Sequence, residues 1–278
     1  MPSLKEIKGR IASVRSTLKI TSAMKLVSSA KLRKAQEAIA RMRPYQQELS
    51  GMLASLGVSP KADASAEGSA LILAIASNTS LCGSFNSNVI SKVRGMLEEM
   101  PGSSVLALGR KLADAFRSLP APEGLSGGAL PEHPSYAFAS ELASALMEAL
   151  DQGRFGSVIL VYNHAIATGH EKVVSERLLP LKAATSDEGL TPEERWILEP
   201  SRQALLKELL PKSVKIQLFA AILDSIAAEH SARMVAMQTA SDNAEKLLAE
   251  LNLQYNKSRQ AKITSEILDL ASASRDSQ

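Results

Sequence analysis

The sequence predicts an α+α/β protein in which an N-terminal and a C-terminal helix form a long antiparallel coiled coil around an inserted α/β domain with a mostly parallel sheet. Three observations predict it. Heptads counted from Leu4 place Leu4, Ile7, Ile11, Val14, Leu18, Thr21, Lys25, Ser28, Leu32, Ala35, Ile39, Met42, Gln46, Leu49, Leu53 and Leu56 on one seam. Twelve of these sixteen are apolar in one unbroken register, where a 45% hydrophobic chain would give about seven by chance. Residues 212–278 contain neither Gly nor Pro and carry apolar residues at Phe219, Leu223, Ile226, Met234, Met237, Leu247, Leu251, Tyr255, Ile263, Ile267 and Leu270. Between these ends, short continuous apolar runs alternate with helical patterns, the mark of βαβ units.

The first helix starts at a capping box, Ser3-Leu4-Lys5-Glu6, in which hydroxyl and carboxylate satisfy orphan backbone amides. At about 1.5 Å per residue the two helices would be rods of roughly 80 and 100 Å, far longer than a compact domain needs. A rod with one apolar stripe needs a partner. Pro44 removes one hydrogen bond and predicts a bend, while the register beyond it argues against a stop. Residues 1–57 are therefore read as one helix, and 58–69, rich in Ser, Ala and Pro, as a linker.

Residues 70–200 are read as the α/β domain. Strands are expected at 70–76, 105–108 and 158–162, with a weaker edge strand at 173–179, and helices near 86–100, 110–119 and 139–152. Thr191-Pro192-Glu193-Glu194 is a further helix start. Pro200 and Pro211 are expected to break the path into the final helix, 201–278. Because domain termini often lie close together, an inserted domain sends the two rods out side by side and antiparallel, where each stripe covers the other.

Composition narrows the function classes. The longest apolar run, Ala70 to Ala76, is far short of the roughly 20 residues of a membrane span, and the N-terminus is neither a signal nor a transit peptide. No transmembrane segment is therefore expected. Cys82 is the sole cysteine, which excludes an internal disulfide and suits a reducing cytoplasm. Residues 1–50 carry eleven Lys/Arg against three Glu, a balance of +8 that leaves −5 for the rest of a +3 chain. A basic rod fits an acidic partner, protein or nucleic acid, and equally an ordinary solvated helix face.

Catalytic motifs do not assemble. Gly124-Leu125-Ser126-Gly127-Gly128 has the spacing of a nucleophile elbow but lies among prolines, without the strand before it and helix after it that the motif needs. His133, His164, His170 and His230 show no metal-ligand spacing. The loop 77–86 stands where an open α/β sheet binds ligands, yet it lacks the glycine pattern and the lysine of a phosphate loop. No catalytic, cofactor or metal site is expected. More telling is the seam itself, where Thr21, Lys25 and Ser28 interrupt the apolar register amid small side chains. Polar seam positions cost stability, so they mark close helix approach or contact with a partner.

These residues resemble a known family. Ile7-Lys8-Gly9-Arg10-Ile11 with Lys19-Ile20-Thr21-Ser22-Ala23-Met24-Lys25-Leu26-Val27, then Ser80-Leu81-Cys82-Gly83-Ser84-Phe85-Asn86, then Glu229-His230-Ser231-Ala232-Arg233-Met234 and Tyr255-Asn256-Lys257-Ser258-Arg259-Gln260, are similar in order to the gamma subunits of bacterial F-type ATP synthases. Asn78-Thr79-Ser80 departs from the family's Asp-Arg-Gly, and Ala273-Ser274 from a Gly-Ala pair. The dithiol insert of chloroplast relatives is missing, so redox switching is not expected.

The resemblance implies a rotating central stalk that couples proton flow through a membrane c-subunit ring to conformational change in catalytic beta subunits. Partners would be the alpha and beta subunits, the epsilon subunit and the c ring, with no specific nucleic acid and no cofactor. The location would be peripheral, on the cytoplasmic face of the bacterial inner membrane. By the same resemblance Met24 and Arg233 form a coupling pair near an acidic beta-subunit lever, with Lys25 beside them. Arg259, Gln260 and Thr264 would contact a beta-subunit catch loop, Lys8 and Arg10 would form a basic rod face, and Trp196 and Glu199 would stand near the c ring. The rival readings are a nucleic-acid-associated coiled coil, on the +8 rod, and an α/β enzyme with a coiled-coil arm, on the central sheet.

Overall fold

The computed structural model describes residues 3–59, 62–63, 69–119, 122, 124–167, 169–183, 198–199 and 201–275. The capping box forms as expected: Ser3 N–H donates to Glu6 Oε2 at 2.9 Å and Glu6 N–H to Ser3 Oγ at 3.3 Å. From it runs α1, Leu4–Ser55, through Pro44 without interruption. All sixteen seam positions are buried or half-buried. Off the seam, only Ser22, Met24, Lys31, Ala38, Ser50 and Ser55 of this helix are less than exposed, so the heptad count predicts its buried face residue by residue.

The α/β part contains β1 (Val58–Ser59), β2 (Ala62–Asp63), β3 (Ala70–Ile75), α2 (Phe85–Glu99), β4 (Ser104–Leu108), α3 (Arg110–Ala115), α4 (Tyr136–Asp151), β5 (Ser157–Ala167), β6 (His170–Leu179) and β7 (Lys182–Ala183). Five strands form a mixed sheet in the order β2-β6-β5-β3-β4. The central β3 is parallel to both β4 and β5, as its crossover helices require, and β6 and β2 add antiparallel pairs. The segment expected to be a bare linker is partly structured. Val58 pairs with Ala183 and Ala62 with Arg177, because an extended chain beside an open strand edge satisfies its backbone there.

Every residue of β3 is buried, and alternation sends its side chains to two cores. Leu71, Leu73 and Ile75 face a cluster with Leu146 of α4 and with Val214, Leu218 and Ile222. Ile72 and Ala74 face another with Phe85, Val89 and Val93 of α2 and Leu112 of α3. This two-sided cover is why the strands read as unbroken apolar runs.

The last helix, α5, spans Arg202–Arg275 and contains Pro211, which the sequence reading expected to break it. A proline inside a helix costs about 3 kcal/mol. Val214 and Leu218, 1% and 0% exposed, lie on the next turns and together contribute about 3–6 kcal/mol by burial, enough to hold the helix through it. The expected helix start at Thr191 lies outside the described residues. Compact packing divides the chain into two units, Met1–Val27 with Met234–Gln278, and Ser28–Arg233. In the second unit α1 and α5 run antiparallel: Arg202 donates to the Leu56 carbonyl at 2.7 Å, while Leu49 and Leu53 pack on Ile216. Among the described residues no helix is long and apolar enough to cross a membrane.

Candidate functional site

In the unit formed by the chain ends, the polar interruption of the seam has a structural use. Thr21 and Ser241, 8% and 7% exposed, share a 2.8 Å hydrogen bond between their hydroxyls across 220 residues of sequence. Small side chains let the backbones approach, and the shared bond satisfies two groups that would otherwise be buried at a cost. On α5 the covered stripe runs Met237, Ser241, Ala244, Leu248, Leu251, Tyr255, Ser258, a strict alternation of four and three.

That register differs from the sequence expectation at three positions. Leu247, Ile263 and Ile267 are 43%, 47% and 59% exposed. Leu247 falls off the seven-residue register. The other two lie past its end: with Thr21 opposite Ser241, the antiparallel pair brings Leu4 opposite residue 258, and α1 ends there. From Arg259 to Leu268 every residue is exposed.

The sequence-predicted residues of this unit therefore fall into two groups. Met24 and Lys25 are half-buried, whereas Lys8, Arg10, Arg259, Gln260 and Thr264 are exposed. Gln260 and Thr264 stack one turn apart, the Thr264 hydroxyl donating to the Gln260 carbonyl at 2.9 Å. Arg259 precedes them in the chain and is exposed, and its guanidinium carries five N–H donors.

Arg233 belongs to the other unit and is 7% exposed, in a built setting. Its Nη1 donates to Glu229 Oε1 at 2.6 Å, and its Nη2 to Thr79 Oγ1 at 2.9 Å and to the Ser80 carbonyl at 3.4 Å. Of the residues that depart from Asp-Arg-Gly, Thr79 thus supplies a neutral side-chain oxygen to a buried cation, beside the Ser80 backbone carbonyl. Glu229 was findable in sequence, one turn before Arg233 on the same face; Thr79 stood out only as part of a departure from the family's pattern, and nothing tied it to Arg233, 154 residues away.

Neighbouring groups extend this polar region. Lys31 of α1 pairs with Glu132, whose carboxyl its hydrogen bond holds below the usual carboxylate range. Burial pushes the His230 imidazole down to about 4, with Arg233 and Lys31 disfavouring a further positive charge. His164 pairs instead with Asp224. Burial pushes the Cys82 thiol up, so it is a packed side chain beside Ser77 rather than a nucleophile. Ser126 is exposed in an irregular segment whose neighbour Gly128 bridges Leu108. Among the described residues no cluster of His, Cys, Asp and Glu could hold a metal ion. Glu199 is exposed, and Trp196 lies outside the described residues.

The family described as ATP synthase matches residues 3–275 of the chain. An ATP synthase gamma chain of Phocaeicola vulgatus is 41% identical, covering 99% of both chains, and one of Bacteroides thetaiotaomicron is 42% identical with the same cover. Among solved structures, a chain of the Euglena gracilis mitochondrial ATP synthase in an OSCP/F1/c-ring assembly superposes with a TM-score of 0.71 at 18% identity, over 97% of this chain and 93% of its own. A chain from the central stalk and c ring of the Tetrahymena thermophila mitochondrial ATP synthase gives 0.59 at 22%, over 80% and 99%. At those identities the likeness is one of fold.

Proposed function

The chain belongs to the family of ATP synthase gamma chains, components of that enzyme complex, and from this membership we propose how its geometry performs the part of the central rotating stalk. The observation that carries the reading is the division of labour along α5. From Met237 to Ser258 its stripe is covered; from Arg259 onward it exposes Ile263, Ile267 and Leu268 together with Arg259, Gln260 and Thr264. A solvent-facing helix gains nothing from that mixture, whereas a helix enclosed by other subunits does.

The partners are a ring of alternating alpha and beta subunits around the paired helices, an epsilon subunit, and a membrane c ring at the far end. A pair of helices has no threefold symmetry, so three chemically identical beta subunits around it must each meet a different face. Each face favours a different beta conformation, and rotation passes the open and closed states from one to the next. In this reading the gamma chain carries torque and the chemistry lies with the beta subunits. Arg259 offers a bidentate partner to a beta carboxylate, and Gln260 and Thr264 a polar shelf beside it. Met24 beside the seam and Lys25 on it act as coupling contacts, and Lys8 and Arg10 complement acidic beta loops. Arg233 acts from within, holding its own unit in shape. Trp196 and Glu199 mark the segment near the c ring. On this reading the chain is peripheral and works at the cytoplasmic face of a bacterial inner membrane.

Reconstitution tests the reading. Alpha and beta subunits with this chain should form a complex whose ATP hydrolysis is strongly cooperative. Equal cooperativity without the chain, or no complex around it, would end the proposal.

A further inference from the structure

Torque must pass from the helices into the α/β part, through close-packed apolar side chains and through directional polar contacts. Directional contacts resist twist, and among them the charged ones are strongest. Within the Ser28–Arg233 unit such contacts form a connected path. Arg233 on α5 donates to Thr79 Oγ1 and the Ser80 carbonyl. The adjoining Asn78 accepts from Leu130 N–H at 3.0 Å and Arg110 N–H at 3.3 Å, and donates to the Leu130 carbonyl at 2.6 Å. Two residues further, Glu132 pairs with Lys31 on α1. The loop is tied to α2: Ser77 N–H donates to Asn86 Oδ1 at 3.1 Å, and Leu81 sits in the left-handed region at φ 68°, a conformation costing about 1–2 kcal/mol in a leucine.

We propose that Thr79 is a positioning residue for torque transfer, its hydroxyl fixing the buried Arg233 guanidinium and thereby the angular seating of α5 on the loop after β3. This rests on the rotor reading above. Thr79 is exposed, so it adds nothing to either core, and its hydroxyl is the nearer of the two loop acceptors Arg233 reaches. Glu229 neutralises the charge but lies on the same helix as Arg233, so it cannot fix the helix against anything else. Thr79 does so because it belongs to a different element.

The test uses the whole complex in sealed vesicles, with ion uptake measured per ATP hydrolysed, alongside hydrolysis by the detergent-released, unloaded enzyme. Thr79→Val keeps the shape and removes the acceptor. It should leave unloaded hydrolysis within about twofold while lowering ion uptake per ATP at least threefold, more steeply against an imposed gradient. Thr79→Ser should restore the ratio, and Leu146→Ala, a core change that destabilises more, should leave it intact. An unchanged ratio in Thr79→Val, or an equal fall in Leu146→Ala, overturns the inference. A wild-type chain that supports no coupled turnover would instead overturn the rotor reading itself.

Discussion

Replacing Glu229 by alanine should destabilise the Ser28–Arg233 unit by about 3 kcal/mol. The side chains of Arg233 and Glu229 are 8% and 13% exposed, and their closest approach is 2.6 Å. Removing one member of a buried pair typically costs about 3–5 kcal/mol, since the remaining charge stays buried without its counterion. The low end applies here, because the Thr79 hydroxyl and Ser80 carbonyl still accept from Arg233. For a unit of this size each kcal/mol is worth roughly 2–4 °C, so calorimetry should record a fall of about 6–12 °C in its transition. The decisive comparison is the double variant Glu229→Met with Arg233→Met, which removes both charges and keeps side-chain volume. Apolar replacement of a whole buried pair is often neutral or better, so the double variant should recover more than half of the loss. A double variant as unstable as Glu229→Ala, or a single-variant shift below about 2 °C, would refute the account of Arg233 as a buried cation dependent on Glu229.

Three further outcomes follow from other parts of the structure. Folded His230 takes its proton near pH 4 and the unfolded side chain near 6.5, so the unfolded state binds more protons in that window and stability falls as pH drops through it. For a half-buried group the loss should be about 1–2 kcal/mol, and His230→Gln should flatten the denaturant midpoint between pH 6.5 and 4; an unchanged slope would contradict it. Gly109 has φ 112°, and a Cβ there would lie 2.2 Å from the Ala76 carbonyl oxygen, so Gly109→Ala should lower soluble yield and melting temperature sharply, where an ordinary Gly→Ala change would be mild. Arg259→Ala is exposed and should shift stability by less than about 0.5 kcal/mol while reducing coupled ATP synthesis severalfold; a loss of synthesis matched by a loss of melting temperature would assign the residue to folding.

The long helix α1 was fully legible, because a seven-residue repeat projects directly onto one face and needs no knowledge of the rest of the chain. Both limits of that legibility appear on α5. The apolar count alone put Leu247, Ile263 and Ile267 on its stripe, yet all three are exposed: Leu247 falls between covered positions of the seven-residue register, and the other two lie beyond the reach of α1. The strands at β3, β4 and β5 were equally plain, because burial on both faces leaves continuous apolar runs. Val58 and Ala62 were not, since short edge pairings depend on which strand passes nearby. At the candidate site, Arg259, Gln260 and Thr264 are proposed from the resemblance, whereas the contact between Thr79 and Arg233 was not legible in the chain.

The residues alone determined the period of each helix, the two-faced cover of the strands, the cap at Ser3 and the family. Only the tertiary structure decided that Thr21 meets Ser241, that Pro211 stays inside a helix, and that Arg233 turns inward to Thr79. The reason is one of range: periodicity and capping are satisfied within a few residues, whereas a buried polar group is satisfied by whatever the fold brings within about 3 Å, however distant in sequence.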